Sequence, residues 1–321
     1  MTSESFIMHL SLLRPVTFAS LFALAGSGGA LAADCKPDAL GTSRVIAVDP
    51  AEHGRIGTMQ YGETLPLNDH EVVLTFDDGP LPPRTNKVLD ILAAECVRAT
   101  FFLVGQMANA FPTLVRRELA DGHTIATHTQ THSPRIWKWP IPAQEADINQ
   151  GIASVGNALG DPNALAPFFR FPGLGKSAQI EQDLAAQGIM IWSADFPADD
   201  WLRIGPKQVA ARALARLEHK GKGVLLLHDI HPVTVAALPM LFAELKKRHY
   251  NVVHVVPAGP NQPKTETDPR QWVPEVPAKP VVTAKPVVTA KPVVTAKPVV
   301  TAKPVVTAKP AVTTKPVVTP R

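Results

Sequence analysis

The sequence sets two adjacent carboxylates and a spaced pair of histidines where a metal-dependent hydrolase would need them. Asp77 and Asp78 follow a strand-like run at residues 71–74 and precede a Gly-Pro turn pair, and His128 and His132 come about one βαβ unit later. Side chains four residues apart share one face of a helical turn, so we expect both histidines to face one ion. One aspartate with two histidines leaves coordination positions open for water and substrate. The pattern therefore predicts a catalytic metal site with a second aspartate free to act as a base.

These residues resemble a motif set of the polysaccharide deacetylases of the NodB-homology type, carbohydrate esterase family 4. Members of that family remove acetyl groups from N-acetylglucosamine polymers or acetylated xylan. The resemblance runs from about residue 71 to residue 256, and Thr-Phe-Asp-Asp-Gly at residues 75–79 matches the family's first motif. It implies that Asp77 is a general base. It also implies that Asp78, with the two histidines, binds a divalent ion, Zn²⁺ foremost and Co²⁺ or Ni²⁺ as alternatives.

Three further stretches match the same family pattern. Arg170, within Phe-Arg-Phe-Pro-Gly, matches an arginine that orients the base. Leu226 and His228, within Leu-Leu-His, match a leucine that lines the acetyl pocket and a histidine that acts as the general acid. Asp200 and Trp201 match an acid that contacts this histidine and an indole that walls the pocket. The resemblance thus implies roles for residues spread over about 150 positions.

The chain departs from the family pattern at two places. The family carries an aromatic residue after the proline of the arginine motif, and the backbone N–H there stabilises the oxyanion, whereas this chain has Gly173, Leu174 and Gly175. The N–H of Gly173 or of Leu174 can still serve as that donor, but this position offers no sugar-stacking ring. The segment from residue 192 to residue 201 is also longer than the usual spacing, so the match at Asp200 is looser than the others.

Patterns typical of strands and helices alternate through the middle of the chain. Apolar runs predict strands at residues 72–76, 100–104, 124–127, 168–171, 189–192, 224–227 and 252–256. Helices are predicted at residues 85–94, 107–120, 143–159, 179–186, 207–219 and 238–248. The continuous hydrophobicity of the runs is typical of parallel strands covered on both faces. Repeated βα units without a Rossmann glycine fingerprint favour an α/β barrel, and the resemblance implies an irregular (β/α)7 barrel.

Such a barrel would bring the motif residues together. Five of them lie at or just past the carboxyl end of a predicted strand: Asp77, Asp78, His128, Arg170 and His228. A (β/α) barrel builds its active site at that end of its strands. We therefore expect one site rather than scattered structural residues.

The two ends of the chain predict export. Arg14, an apolar stretch at residues 16–25 and Ala-Leu-Ala at residues 30–32 are typical of a secretory signal, and the stretch is too short for a membrane span. We expect a periplasmic, secreted or envelope-associated protein with no transmembrane segment in the mature chain. In an oxidising compartment Cys35 and Cys96 can pair as a disulfide, and two unrelated buried thiols are the alternative.

Repeats of Ala-Lys-Pro-Val-Val-Thr fill residues 278–321. Their seven lysines and Arg321 give this segment a charge of +8, so the rest of a chain of net charge +4 carries −4. Proline at every sixth position excludes a helix, and the side chains are too small to build a core, which predicts a disordered, extended tail. The tail is either a tether to an anionic envelope polymer or an inert spacer.

The sequence thus divides into five predicted segments. They are a signal peptide at 1–32, an N-terminal extension at 33–70, a catalytic domain at 71–258, a linker at 259–277 and the tail at 278–321. The predicted activity is hydrolysis of N-acetyl groups on an N-acetylglucosamine-containing polysaccharide of cell wall or exopolysaccharide, with release of acetate. Acetylated xylan or a small amide is the alternative substrate. We expect an acetylated glycan as the partner and no nucleic acid.

Two other classes of protein remain alternatives. One is a catalytically weak carbohydrate-binding wall protein, in which Trp137 and Trp139 could stack sugar rings, although these indoles could equally cover the barrel rim. The other is a non-haem iron oxygenase, because that class also uses one carboxylate and two histidines. Oxygenases of this kind usually sit on a jelly roll, and they would have no task for Asp77 and Arg170.

Overall fold

The computed structural model describes residues 35–274, so the predicted signal peptide and the repeat tail lie outside the described residues. The strands are β1 (Thr42–Val48), β2 (Arg55–Ile56), β3 (Glu71–Asp77), β4 (Thr100–Leu103), β5 (Thr124–Thr127), β6 (Phe168–Phe169), β7 (Met190–Trp192), β8 (Phe196–Pro197), β9 (Gly223–His228) and β10 (Asn251–Pro257). The helices are α1 (Arg84–Ala94), α2 (Gly105–Ala110), α3 (Pro112–Ala120), α4 (Ile141–Leu159), α5 (Ala178–Ala186), α6 (Pro206–Lys220) and α7 (Pro232–Lys247).

Strand β3 is the centre of a sheet whose named strands all pair in parallel. It pairs with β9 on one edge, and on the other with β4 and, at its first two residues, with β10. From β4 the pairing continues through β5 and β6 to β7, and β8 pairs with β9. Strands β3 to β9 therefore run around an irregular seven-stranded barrel, in which a three-residue segment, 193–195, joins β7 to β8. The predicted α/β barrel fold is confirmed.

The seventh barrel strand differs from the predicted one. The predicted run at residues 252–256 belongs to β10, which pairs with β1 outside the ring, whereas β8 completes the ring. Strand β8 has only two residues and ends in Pro197, which cannot donate to a ladder, so its sequence carries almost no strand pattern. Strands β1 and β2 lie before residue 71 and pair with β10 and β7. The sheet therefore extends into the segment that precedes the predicted catalytic domain.

The N-terminal part is also linked covalently to the barrel. Cys35 and Cys96 form a disulfide across 61 residues of sequence, which resolves the alternative that the sequence left open. Residue 96 lies just after α1, and strand β1 begins seven residues after Cys35. The bond thus holds the segment that precedes β1 against the end of α1.

Two helices differ from their predicted bounds because of proline. Pro112 divides the predicted helix at residues 107–120 into α2 and α3, because proline is tolerated in the first turn of a helix but not in its interior. Helix α7 begins at Pro232, six residues earlier than predicted, and continues through Pro239. The apolar face of α7 is buried, and this packing outweighs the hydrogen bond that Pro239 cannot make.

The alternation of side chains along β3 separates two apolar layers. Val72, Leu74 and Phe76 pack in the cluster that includes the buried faces of the helices. Val73 belongs to a second cluster, with Phe102 and other strand residues. Because side chains alternate along a strand, Thr75 and Asp77 share the face of Val73. No helix of the described part of the chain is both long and apolar enough to cross a membrane.

Candidate active site

The motif residues converge at one edge of the barrel. Asp77 is the last residue of β3 and His228 is the last residue of β9, and these two residues are paired in register. His128 directly follows β5, and Arg170 directly follows β6. Since these strands are parallel, their carboxyl ends lie on the same side of the sheet, where a barrel of this kind places its functional side chains.

The backbone leaves the strand at Asp78. This residue has a φ of 77°, in the left-handed region that non-glycine residues rarely occupy, and strain of this kind is often found at functional sites. The turn brings both carboxylates towards one imidazole, because Nε2 of His128 lies 3.8 Å from Asp77 Oδ2 and 3.5 Å from Asp78 Oδ1. Two adjacent aspartates can therefore act on one centre although strand geometry alone would direct them apart.

The histidine pair lies on a loop, so the expectation of a helical turn is wrong. Thr129 and His132 have φ values of 66° and 52°, outside the helical region. The loop is held instead by side chains. Asp147 of α4 accepts hydrogen bonds from the backbone N–H of Gln130 and Thr131, at 3.1 and 3.4 Å, and the hydroxyl of Thr129 accepts one from the N–H of His132. These acceptors replace the backbone partners that a helix would have supplied.

The donor set fits a divalent cation. Ligand atoms of Asp78, His128 and His132 all lie within 4.8 Å of one another. Nδ1 of His128 is 2.7 Å from the carbonyl of Arg170 and donates to it, which leaves the lone pair of Nε2 for a metal. Asp78 Oδ1 is buried and has no hydrogen-bond partner among the described residues, although Nε2 of His132 is only 2.9 Å away. A cation bound between these atoms would satisfy this buried oxygen and accept the lone pairs of both imidazoles.

The electrostatics of Asp78 and His128 agree with that fit. Burial lowers the pKa of His128 to about 4, despite the opposing charges of the two aspartates, so this imidazole is neutral, as a metal ligand must be. Burial alone would raise the pKa of Asp78, but the imidazoles of His132 and His128 hold it well below its usual range. Burial would lower the pKa of His132, but the hydrogen bond and charge of Asp78 raise it above its usual value. The set is thus one anionic carboxylate, a neutral buried imidazole and a partly exposed imidazole that pairs with the carboxylate.

Asp77 is held by a buried arginine. The guanidinium of Arg170 is fully buried and lies 2.6 Å from Asp77 Oδ1. It also donates to the hydroxyl of Thr75 and the carbonyl of Ser193, both at 2.9 Å, and stacks on the ring of Phe102 at 4.1 Å. Every one of these contacts restricts the guanidinium, so Asp77 has a fixed orientation as well as a charged partner.

His228 has an acidic partner of its own. Its Nδ1 lies 2.8 Å from Asp200 Oδ1, and Asp200 Oδ2 accepts from the backbone N–H of His228 and the hydroxyl of Thr234. Burial would lower the pKa of His228, but the hydrogen bond and charge of Asp200, with the charges of Asp77 and Asp78, raise it to about 9. His228 is therefore protonated at neutral pH, the state from which it can act as an acid.

The remaining predicted pocket residues surround this centre. The indole of Trp201 is 47 % exposed and lies edge-on to His228, with ring centroids 5.5 Å apart. Leu226 is buried in β9 and pairs with Thr75 of β3. Asp200 and Trp201 thus reach the site despite the long segment that precedes them.

The segment after Arg170 offers a backbone donor. Gly173 and Leu174 both have positive φ, at 58° and 51°. The N–H of Leu174 donates to the carbonyl of Phe171, so the N–H of Gly173 is the stronger candidate for an oxyanion donor. The side-chain amide of Gln60 donates to the carbonyl of Leu174 and reaches that of Gly175. Gln60 precedes the predicted catalytic domain, and no sequence pattern connects it to this segment.

A buried acid lies directly behind the Asp78 turn. Asp229 is fully buried and accepts a hydrogen bond from the hydroxyl of Thr85. A Cβ on Gly79 would lie 2.3 Å from Asp229 Oδ2, so only glycine fits between this carboxyl and the turn. Burial raises the pKa of Asp229 to about 7. Asp229, Thr85 and Asp147 position the site, and their contacts span too much sequence for any local pattern to reveal them.

A family model described as polysaccharide deacetylase matches residues 65–192. The matched range includes Asp77, the histidine pair and Arg170, and ends before Asp200 and His228. The candidate roles of Asp200 and His228 therefore depend on the geometry described above.

Proteins with similar sequences are named as deacetylases. A peptidoglycan-N-acetylglucosamine deacetylase of Bacillus cereus is 33 % identical over 186 residues, which cover 55 % of this chain and 66 % of that protein. A chitooligosaccharide deacetylase of a Bradyrhizobium species is 32 % identical over 204 residues, which cover 58 % of this chain and 89 % of that protein. The chain thus spans most of the second relative but just under two thirds of the first.

A solved structure has the same fold as this chain. A peptidoglycan deacetylase of Bdellovibrio bacteriovorus superposes with a TM-score of 0.61 at 29 % identity. The superposition covers 68 % of this chain and 60 % of that chain. The barrel is therefore shared, while a part of the Bdellovibrio protein has no counterpart in the superposition.

Proposed function

We propose a reaction for this chain, which belongs to the polysaccharide deacetylase family: hydrolysis of N-acetyl groups on an N-acetylglucosamine-containing polysaccharide, dependent on a divalent cation, with release of acetate. One observation carries the proposal. A buried carboxylate oxygen without a well-formed hydrogen bond among the described residues and two imidazoles form a cation-sized donor set beside an aspartate that a buried arginine orients. A hydrolase needs both parts, whereas a protein that only binds glycan needs neither.

The cation would be held by Asp78, His128 and His132. When bound, it would lower the pKa of a water towards neutrality and polarise the acetyl carbonyl. Zn²⁺ suits two imidazoles and one carboxylate, and Co²⁺ or Ni²⁺ could replace it. Asp77 accepts the proton of the attacking water, and Arg170 keeps the carboxylate oriented by the 2.6 Å contact to its other oxygen.

The remaining residues act on the acyl group and the leaving group. The N–H of Gly173 would donate to the oxyanion that develops when the acetyl carbonyl becomes tetrahedral. His228, charged and held by Asp200, would then give its proton to the departing amine as the C–N bond breaks. The products are acetate and a sugar with a free amino group.

The glycan and the compartment are parts of the same proposal. Relatives named for peptidoglycan and for chitooligosaccharide support N-acetylglucosamine as the acetylated unit. The disulfide between Cys35 and Cys96 supports an oxidising compartment, since such bonds are rare in cytosol. We infer that the protein is exported and acts on cell-wall polymer or exopolysaccharide. The five segment boundaries and the tether or spacer role of the tail remain predictions.

The test is acetate release from a panel of acetylated glycans. Purified protein loaded with Zn²⁺ is given peptidoglycan, N-acetylglucosamine oligomers, poly-N-acetylglucosamine and acetylxylan. We expect release from at least one N-acetylglucosamine polymer and a loss of about 100-fold or more in kcat for Asp77→Asn, because the general base is removed. Asp38→Asn, which changes an exposed acid, is the matched control and should keep full activity.

Two results would contradict the proposal. Release that is unaffected by Asp77→Asn or by a chelator would exclude the proposed mechanism. Tight binding of an acetylated glycan without any release of acetate by the metal-loaded wild type would instead favour a carbohydrate-binding protein.

A further inference from the structure

A short segment after the histidine loop presents an indole to solvent in a fixed position. Residues Ile136–Lys138 form a single 3₁₀ turn, which begins four residues after His132. Ile136 is fully buried in a cluster that contains Phe169 and Phe171, the neighbours of Arg170 in sequence. The next side chain, Trp137, is 41 % exposed. The turn is therefore anchored on the strand that supplies Arg170, while its tryptophan faces outwards.

The indole of Trp137 lies against the proposed oxyanion segment. A Cβ on residue 175 would lie only 2.5 Å from Cδ1 of this ring, so Gly175 allows the ring to touch the backbone directly. Gly175 is two residues from Gly173, a distance of at most about 7 Å along the chain. The ring thus lies against the backbone two residues from the proposed oxyanion donor.

Other contacts limit the movement of the ring. The ammonium of Lys138 lies 4.8 Å from the centroid of the Trp137 ring, within range of a cation–π contact. These contacts restrict the ring in the free protein, so less conformational entropy would be lost when a ligand stacks on it than for an unrestrained side chain. An indole held partly exposed beside a polar site has the properties of a preformed contact surface.

A second exposed indole of this loop lies two residues further along the chain. Trp139 is 36 % exposed, and its backbone carbonyl accepts a hydrogen bond from the side chain of Gln144 in α4. The close approach to Gly175 belongs to Trp137. The two tryptophans, which the sequence could not distinguish, therefore form a test residue and a matched control.

We propose that Trp137 is a stacking platform for a pyranose ring of the substrate, next to the sugar that carries the reacting acetyl group. The C–H face of a pyranose is apolar and packs on an aromatic face, while its hydroxyls remain in water. The substrate is then an oligomer or polymer, since a single sugar would occupy the reaction centre but not the platform. This inference rests on the proposed function and specifies the substrate of the same site.

The experiment compares substrate lengths in three variants. Acetate release is measured for Trp137→Ala, Trp137→Phe and Trp139→Ala with N-acetylglucosamine and with its oligomers of two to five units. We expect Trp137→Ala to raise KM roughly tenfold for the oligomers, with kcat nearly unchanged and little effect on the single sugar. Trp137→Phe should recover most of the affinity, and Trp139→Ala should match the wild type. Thermal unfolding of each variant identifies any loss of folded protein.

Three outcomes would overturn the inference. They are an unchanged KM in Trp137→Ala, an equal change in Trp139→Ala, and a fall in kcat with KM unchanged, which would mean that the ring only supports the backbone at Gly175. If the wild type releases no acetate, the proposed function fails, and a fluorescence titration with the pentamer decides the inference separately. Stacking requires a spectral change that Trp137→Phe removes and Trp139→Phe retains, and its absence would refute the platform.

Discussion

Replacement of Gly151 by alanine should displace the histidine loop. Gly151 lies in α4, where its missing side chain leaves room for the loop, because a Cβ there would be 2.5 Å from the carbonyl carbon of Thr129 and 2.8 Å from the nitrogen of Gln130. Ordinary contacts begin at 3.4 Å, so the loop backbone must retreat by about 0.9 Å. Metal ligands tolerate deviations of roughly 0.2 Å, and His128 and His132 lie on either side of the displaced residues.

Gly156→Ala is the matched control in the same helix. A Cβ at residue 156 would lie 3.5 Å from Pro162 Cβ, an ordinary contact. Both substitutions gain up to about 1 kcal/mol from the higher helix propensity of alanine. Overpacking at Gly151 should cost about 1–3 kcal/mol, so we expect Gly151→Ala to be neutral to about 2 kcal/mol less stable and Gly156→Ala to be slightly more stable than the wild type.

Two measurements test this reasoning. Urea unfolding with a chelator present gives the free energy of unfolding without metal, and calorimetric titration with Zn²⁺ gives the affinity. We expect Gly151→Ala to bind Zn²⁺ on the order of 10- to 100-fold more weakly, which is the usual effect of removing a group that orients a metal ligand. Gly156→Ala should bind Zn²⁺ as the wild type does. Equal affinities in the two variants would refute the argument that α4 positions the histidine loop.

Two further expectations concern buried charge. Arg170→Met should lower the free energy of unfolding by about 3–5 kcal/mol, because it leaves Asp77 buried without its partner, and the double variant with Asp77→Asn should recover part of the loss in urea unfolding. Burial lowers the pKa of His254 to about 4 and of His123 to about 3. Below pH 6.5 both histidines bind protons in the unfolded chain but stay neutral in the folded one. The free energy of unfolding should therefore fall as pH drops, and His254→Gln should reduce the slope of this dependence between pH 6 and 4. A double variant that is no more stable than Arg170→Met would contradict the first expectation. An unchanged slope in His254→Gln would contradict the second.

Local patterns were sufficient for the barrel and for most of the site. The alternation of apolar runs with helical segments depends on residues near one another in sequence, which is why β3, β4, β5 and β9 were predicted nearly in full. Their parallel arrangement directs every strand end to one edge. Asp77, His128, Arg170 and His228 could therefore be grouped before any coordinates were known.

Short or interrupted elements escaped that reasoning. Strand β8 contains Pro197 and strand β2 has two residues, so each exists only because a neighbouring strand supplies its partners. Helix α7 keeps Pro239 because its apolar face is buried. The histidine loop is not helical, since Asp147 binds its N–H groups from another element. In each case a tertiary contact outweighed the local preference.

The sequence by itself determined the types of chemical group and their order along the strand ends, because those follow from motif spacing and from the period of each element. Only the tertiary structure decided the orientation and the hydrogen-bond partners of these groups. The carbonyl of Arg170 selects the tautomer of His128. The N–H of Leu174 donates to the carbonyl of Phe171, which leaves the N–H of Gly173 as the candidate oxyanion donor. The missing side chain of Gly175 makes room for the ring of Trp137. Such choices depend on distances between residues far apart in the chain, and these distances exist only once the barrel has folded.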